Sequence, residues 1–195
     1  MSQSFVNAQN IALPLVVAQG GTGLTAAGTS GNVLTSDGTN WTSSSLGVSR
    51  VVQRVSTQTG TVATGTTTIP IDNTIPQNTE GDQYMSLAIT PSNTANILQI
   101  TTVVVYACNA TAPIMALFQD TTAGALAAVS TSDPDVNAIR VATFIHTMTA
   151  GTTSSTTFKI RMGGQSGTFT FNGALGSQYM GGVYASSMSI IEFTS

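Results

Sequence analysis

"NILQITTVVVYAC", Asn96 to Cys108, decides the fold class. It is long, rich in β-branched residues and nearly continuously apolar, which predicts a central β-strand buried on both faces. Gln99, Thr101 and Thr102 interrupt it, so it is too polar for a membrane span, and no membrane insertion is expected. Working outward, "TFKIRM" (Thr157 to Met162) alternates strictly. Phe158, Ile160 and Met162 fall on one face, and Lys159 and Arg161 on the other. "SSMSIIEF" (Ser186 to Phe193) places Met188 and Ile190 together, against Ser187, Ser189 and Ile191. "NAIRVATFIHTMT" sets Ile139, Val141, Thr143, Ile145 and Thr147 against Arg140, Ala142, Phe144, His146 and Met148.

Turn chemistry separates these runs: "TPSN", "TTAG", "TSDPD", "TAGTTSS" and "NGALGS". About eight to ten strands at regular spacing, without a convincing amphipathic helix, predict an all-β antiparallel sandwich of jelly-roll type. Composition agrees. Charged residues make up 7% of the 195 residues, against about 25% in typical soluble domains. Thr and Ser supply roughly a quarter, and Thr favours pleated surfaces. The surface is expected to be neutral and rich in hydroxyls.

The net charge of −3, with one Lys and four Arg in no cluster, gives no footprint for nucleic acid. Cys108 is the single cysteine, so no disulfide framework is expected. "MSQSFVNAQN" lacks a basic start and an apolar core, so no signal peptide is expected. "VVVYA" and "PIMALFQD" are apolar on both faces, and a sandwich normally leaves one face of each sheet polar. A second copy of the chain is the expected cover.

Three pieces follow along the chain. Residues 1–17 form an arm, apolar at Ile11, Leu13, Pro14, Leu15, Val16 and Val17, that is expected to anchor the chain on a partner. Residues 18–48 form a Gly/Thr/Ser stretch, and residues 49–195 form the sandwich, or knob. The middle piece shows no clear helical or strand period and has too little apolar area to offset its ordering entropy alone. It is expected either to be a linker or to wind around identical copies as a collar. In the second case Leu24, Val33, Leu34 and Trp41 act as sparse apolar pegs, and Gly20, Gly21 and Gly23 allow close approach at a three-fold axis.

The segment "QGGTGLTAAGTSGNVLTSDGTNW" (Gln19 to Trp41) resembles a module of bacteriophage tail-fibre and other virion surface proteins, of the form GGTG…G-x-VL-x-S-DG-T-x-W. "IPIDNTIPQNTEGDQYMSLAITPSNTANILQI", "ALFQDTTAGALAA", "HTMTAGTTSSTTFKIRMGG" and "FNGALGSQYMGGVYASSMSIIEF" resemble a β-rich domain at the C-terminal ends of phage fibres. The resemblance implies a homotrimeric knob on the particle surface, made in the bacterial cytoplasm, and implies no chemistry. A short fibre that attaches to a host surface glycan or protein is the expected function. A capsid decoration, or cement, protein is the alternative, and a polysaccharide-cleaving spike is a remote one. In either of the first two cases the arm docks on other phage virion proteins of the tail or capsid. The chain departs from long fibres in carrying only one short shaft module.

Residues able to carry chemistry have plainer readings beside them. "GGTG" has no following helix and no Lys, as a phosphate loop would need. His146 is the only base available to a Ser or Cys nucleophile, and reads otherwise as a surface or interface residue. Cys108 reads as a small buried hydrophobe. Asp72, Glu80, Asp82, Asp120, Asp133, Asp135 and Glu192 are the candidate carboxylates. Glu80 with Asp82, or Asp133 with Asp135, could hold calcium or simply rigidify turns. No cofactor or catalytic function is expected. Tyr179 and Tyr184 could stack on sugars or pack. The loops expected to meet a receptor carry Asp133, Asp135, Gln165, Gln178 and Tyr179.

Overall fold

The computed structural model describes residues 21–26, 28–45, 49–109, 112–131 and 137–195. Between Val48 and Ser49 the chain divides into two units. The arm residues Ile11, Leu13, Pro14, Leu15, Val16 and Val17, together with Gly20, Asp133 and Asp135, lie outside the described residues.

The first unit contains a β-hairpin, β1 (Asn32–Ser36) and β2 (Trp41–Ser45), paired antiparallel from Asn32↔Ser45 to Ser36↔Trp41. This corrects the reading of residues 18–48 as lacking strand structure. The order comes from the turn between the strands. Asp37 Oδ1 accepts the amides of Thr39 (2.8 Å) and Asn40 (2.7 Å), and Gly38 takes φ +92°. Those amides, Asn40 first, hold the Asp37 carboxyl below the usual carboxylate range. Hydroxyls of Thr35, Thr42 and Ser44 form a cross-strand ladder at 2.9 Å.

The second unit is all-β. Its strands are β3 (Val51–Thr59), β4 (Ala63–Gly65), β5 (Asp82–Ile89), β6 (Ile97–Cys108), β7 (Ile114–Gln119), β8 (Ala127–Ser130), β9 (Arg140–Thr149), β10 (Thr156–Gly163), β11 (Phe169–Phe171), β12 (Gly173–Ala174), β13 (Ser177–Gln178) and β14 (Ser186–Phe193). One sheet runs β5-β10-β7-β8. In the other, β6 pairs β9 along one side, and β14 then β11 along the other. β14 in turn pairs β3, and β11 pairs β4. β3 continued by β4 therefore forms one broken row, and β11 continued by β14 another. The second sheet reads β3/β4, β11/β14, β6, β9, and all its pairings are antiparallel.

The row breaks meet at a buried polar knot. Asn172 has no exposed area and takes φ +56°. Its Nδ2 donates to the carbonyls of Thr59 (2.7 Å) and Thr61 (3.1 Å), and its Oδ1 accepts from the Ser186 hydroxyl (2.7 Å). Ser186 Oγ accepts the Val105 amide at 2.9 Å. Backbone groups that the broken ladder leaves over are thus satisfied by side chains.

The core lies between the sheets: Met85, Ile89, Leu98, Ile100, Val104, Tyr106, Met115, Leu117, Phe158, Ile160, Met162, Phe169, Phe171, Met188 and Ile190 are all buried. The alternation of β10 and β14 is as expected. For β6 the expectation holds only in part. Leu98, Ile100, Thr102 and Val104 are buried, but Ile97, Gln99, Thr101 and Val103 on the other face are half-exposed. Both faces are buried only from Val104 onward.

The cover over the two-sided apolar strands comes from the same chain, which corrects the expectation of a second copy there. On β7, Met115 and Leu117 face the main core, while Ile114, Ala116 and Phe118 pack with Ile69 and Ala125 in a second cluster. Ile69 reaches them because its amide binds the Gly164 carbonyl (3.1 Å), laying the segment before β5 across the outer face. On β6, β12 lies against the C-terminal half. The Gly176 amide binds Thr170 Oγ1 (3.0 Å), so the segment between β11 and β14 folds back over this end of the sheet.

Candidate interaction surface

In the first unit, Leu24, Val33 and Leu34 line one open cleft of about 460 Å³ together with Thr22, Asn32 and Ser43. Three of the proposed pegs are thus brought together. Leu34 is 46% exposed, and Trp41, paired with Ser36 beside the turn, is 40% exposed. Gly21 lies at the start of the described segment, and Gly23 takes φ +69°, the left-handed conformation that glycine adopts without strain.

In the second unit, Asn109 after β6, Asn137 before β9 and Thr168 before β11 meet at one end of the sandwich. The Asn109 amide donates to Thr168 O (3.2 Å), the Thr168 amide returns to Asn109 Oδ1 (2.6 Å), and the Asn137 amide binds Cys108 O (2.8 Å). Gln165 is exposed there. Gln178 and Tyr179 belong to a different feature, the 172–185 excursion between β11 and β14. The side chain of Gln178 is not free for a receptor: its Nε2 donates to Gly60 O at 3.1 Å.

The excursion was legible only as turn chemistry, yet it carries large exposed side chains. Leu175, Tyr179, Met180 and Val183 point out of it. Leu175 (φ +53°) and Met180 (φ +50°) are left-handed, a conformation unfavourable for residues with a Cβ. Gly60 is required for its docking, because a Cβ there would lie 1.7 Å from Gly182 O. No sequence pattern announced this patch; only burial reveals it.

The outer face of the second sheet is almost uncharged. Its outward positions are Ser187, Ser189 and Ile191 on β14, Gln99, Thr101 and Val103 on β6, and Val141, Thr143, Ile145 and Thr147 on β9. Arg54 on β3 is the one cation. A shallow depression of about 370 Å³ is lined by Arg54, Ser56, Gln58, Thr101, Ser187 and Ser189, among others.

Carboxylates are used locally. Glu80 accepts the Gln77 amide (2.9 Å), and Asp82 accepts the Thr67 amide (2.9 Å) and hydroxyl (2.8 Å), so the pair does not converge on a shared point. Among the described residues no three His, Cys, Asp or Glu side chains gather. His146 lies on the core-facing side of β9 opposite Ile100, half-buried. Glu192 is fully buried, and its carboxylate accepts from Gln53 Nε2 (2.5 Å), Asn96 Nδ2 (2.6 Å) and the Ser92 amide and hydroxyl (both 2.8 Å). Desolvation pushes its pKa up, but these donors outweigh that and bring it to about 2.

No protein-family model and no curated protein matches the chain. Among solved structures, the Eiger TNF of S. frugiperda is similar at TM-score 0.42 and 7% identity, over 71% of this chain and 92% of that one. The infectious bursal disease virus Gx strain structure is similar at TM-score 0.33 and 11% identity, over 84% of this chain and 41% of that one. The VP2 subviral particle of the same virus gives TM-score 0.30 and 9% identity, over 81% and 42%. Likenesses this low carry no functional weight.

Proposed function

We propose that this chain is a non-enzymatic structural protein of the bacteriophage virion surface, a short homotrimeric fibre that displays a jelly-roll knob for host attachment. The observation that carries this reading is the two-part architecture. The stretch resembling a fibre module forms its own hairpin unit, with Leu34 and Trp41 left exposed for other copies. The sandwich follows it. Its eight rows pair first with eighth, second with seventh, third with sixth and fourth with fifth, a nesting that supports a jelly roll. Exposed polar turns gathered at one end of a rigid sandwich suit a contact surface. The arm, residues 1–17, is assigned to docking on tail or capsid proteins.

The test is the copy number of this chain per virion, with adsorption of particles that lack it. A few to a few tens of copies, and lost adsorption, are expected. Hundreds of copies, with intact adsorption and heads that leak DNA, would reassign the chain to capsid decoration.

A further inference from the structure

We propose that the hydroxyl-lined depression on the outer face of the second sheet binds an acidic saccharide, with Arg54 taking the sugar carboxylate. This names the ligand class for the host-attachment reading above and rests on it.

Strand register assembles the depression. Ser189 of β14 pairs with Ser56 of β3 on one side and Thr101 of β6 on the other, so three hydroxyl side chains form one rung across three strands. Neighbouring strands set them about 4.8 Å apart. Gln58 and Ser187 stand together on the next outward rung. Arg54 stands on the rung at the other side, two residues, or about 7 Å, along β3 from Ser56. These six side chains line about 370 Å³ of open space, within the range of about 300–1,000 Å³ of ordinary ligand sites.

The chemistry of this set is unspent. Among the described residues, no hydrogen bond or ion pair occupies any of the six side chains. Gln53, on the opposite face of the same strand, is by contrast bonded to Thr90 O and to Glu192. No acid shares the face with Arg54 either. Glu192 is the one Asp or Glu in β3, β6, β9 and β14, and it is fully buried on the core-facing side. Arg54 is exposed, so its charge is available to an anion that arrives from solution.

That set selects the occupant. Hydroxyls and the Gln58 amide both donate and accept, as the hydroxyls of a sugar do. A guanidinium fork holds a carboxylate through two parallel bonds. A protein partner would use aromatic or apolar anchors, and the six side chains offer none. A nucleic acid would need a row of cations where there is one. The ligand that fits is a hydrated polyol with isolated carboxylates, a uronate-bearing polysaccharide.

The experiment measures binding to the purified full chain by calorimetry. The probes are oligosaccharides of galacturonate, glucuronate and mannuronate, each beside its neutral methyl ester. At least one uronate series should bind, and its ester should bind about tenfold more weakly, as for loss of a charged hydrogen-bonded pair. R54Q should weaken the uronate to the level of the ester, and R54K should recover only part, because an ammonium lacks the fork. S189V should weaken binding with the charge intact. R50Q, which removes an exposed arginine before β3, should leave binding unchanged. Absence of binding to every uronate, equal binding of an ester, or an equal loss in R50Q would overturn the site. None of these touches the fibre reading, which falls only when particles lacking the chain still adsorb.

Discussion

Glu192 is a buried carboxylate with no cation bonded to it among the described residues, held by four hydrogen bonds from neutral donors. Its pKa falls from an ordinary 4.5 to about 2 in the folded chain. At about 1.4 kcal/mol per unit, the linked stabilisation has a ceiling of about 3 kcal/mol. The donors belong to a polar turn and an edge strand rather than to an apolar enclosure, so screening brings the working value to about 2 kcal/mol. The sign follows from a depressed pKa. This stability is fully present above pH 4.5 and is lost as the pH falls toward 2. Glu192→Gln replaces one acceptor oxygen by a donor that faces donors, and removes the titration. Urea midpoints of both proteins at one chain concentration, from pH 7 down to pH 2, should therefore converge. The variant should be less stable by about 2 kcal/mol at neutral pH and nearly equal to the wild type at pH 2. An equal midpoint at pH 7, or a difference that stays constant down to pH 2, would refute the assignment.

Two further perturbations probe features that cover and repair the sheets. Ile69→Ala should cost about 2–4 kcal/mol by opening a cavity over Phe118 and Ala116, and a melting temperature within 2 °C of wild type (roughly the resolution of the assay) would show that the second cluster contributes little. Asn172→Ala takes away the side-chain partner of two carbonyls and of the Ser186 hydroxyl hydrogen, and replaces Asn, which tolerates φ +56°, by a residue that does so less well, for a loss of about 3 kcal/mol. Asn172→Gly relieves only the backbone part, so the glycine variant recovering full stability would show that the side-chain bonds are idle.

How much of this was legible depended on whether the information was local. β10 and β14 were readable because alternation is a nearest-neighbour property: Phe158, Ile160 and Met162 face the core, as do Met188 and Ile190. The second-face burial of β7 was visible as an apolar run, but its cause was not. Ile69 lies 49 residues before Phe118 and carries no mark of its destination. Read from composition alone, the missing cover looked like another molecule. The β1–β2 hairpin was missed because Val33, Leu34 and Trp41 are too few to show a period, while its order resides in one Asp37 side chain and two amides.

The excursion failed to show for a different reason, and that reason bears on its role. Sequence reading assigns large apolar side chains to the core, since burial is what usually stabilises them. Leu175, Met180 and Val183 break that rule in the described chain. Two of its fastenings, from Asn172 and Gln178, join residues more than 110 positions apart. An unfastened segment of this composition would fold its apolar residues onto the nearest open apolar surface of its own sandwich. The Asn172 knot and the Gly60 contact fix the segment instead, and Leu175, Met180 and Val183 stay exposed.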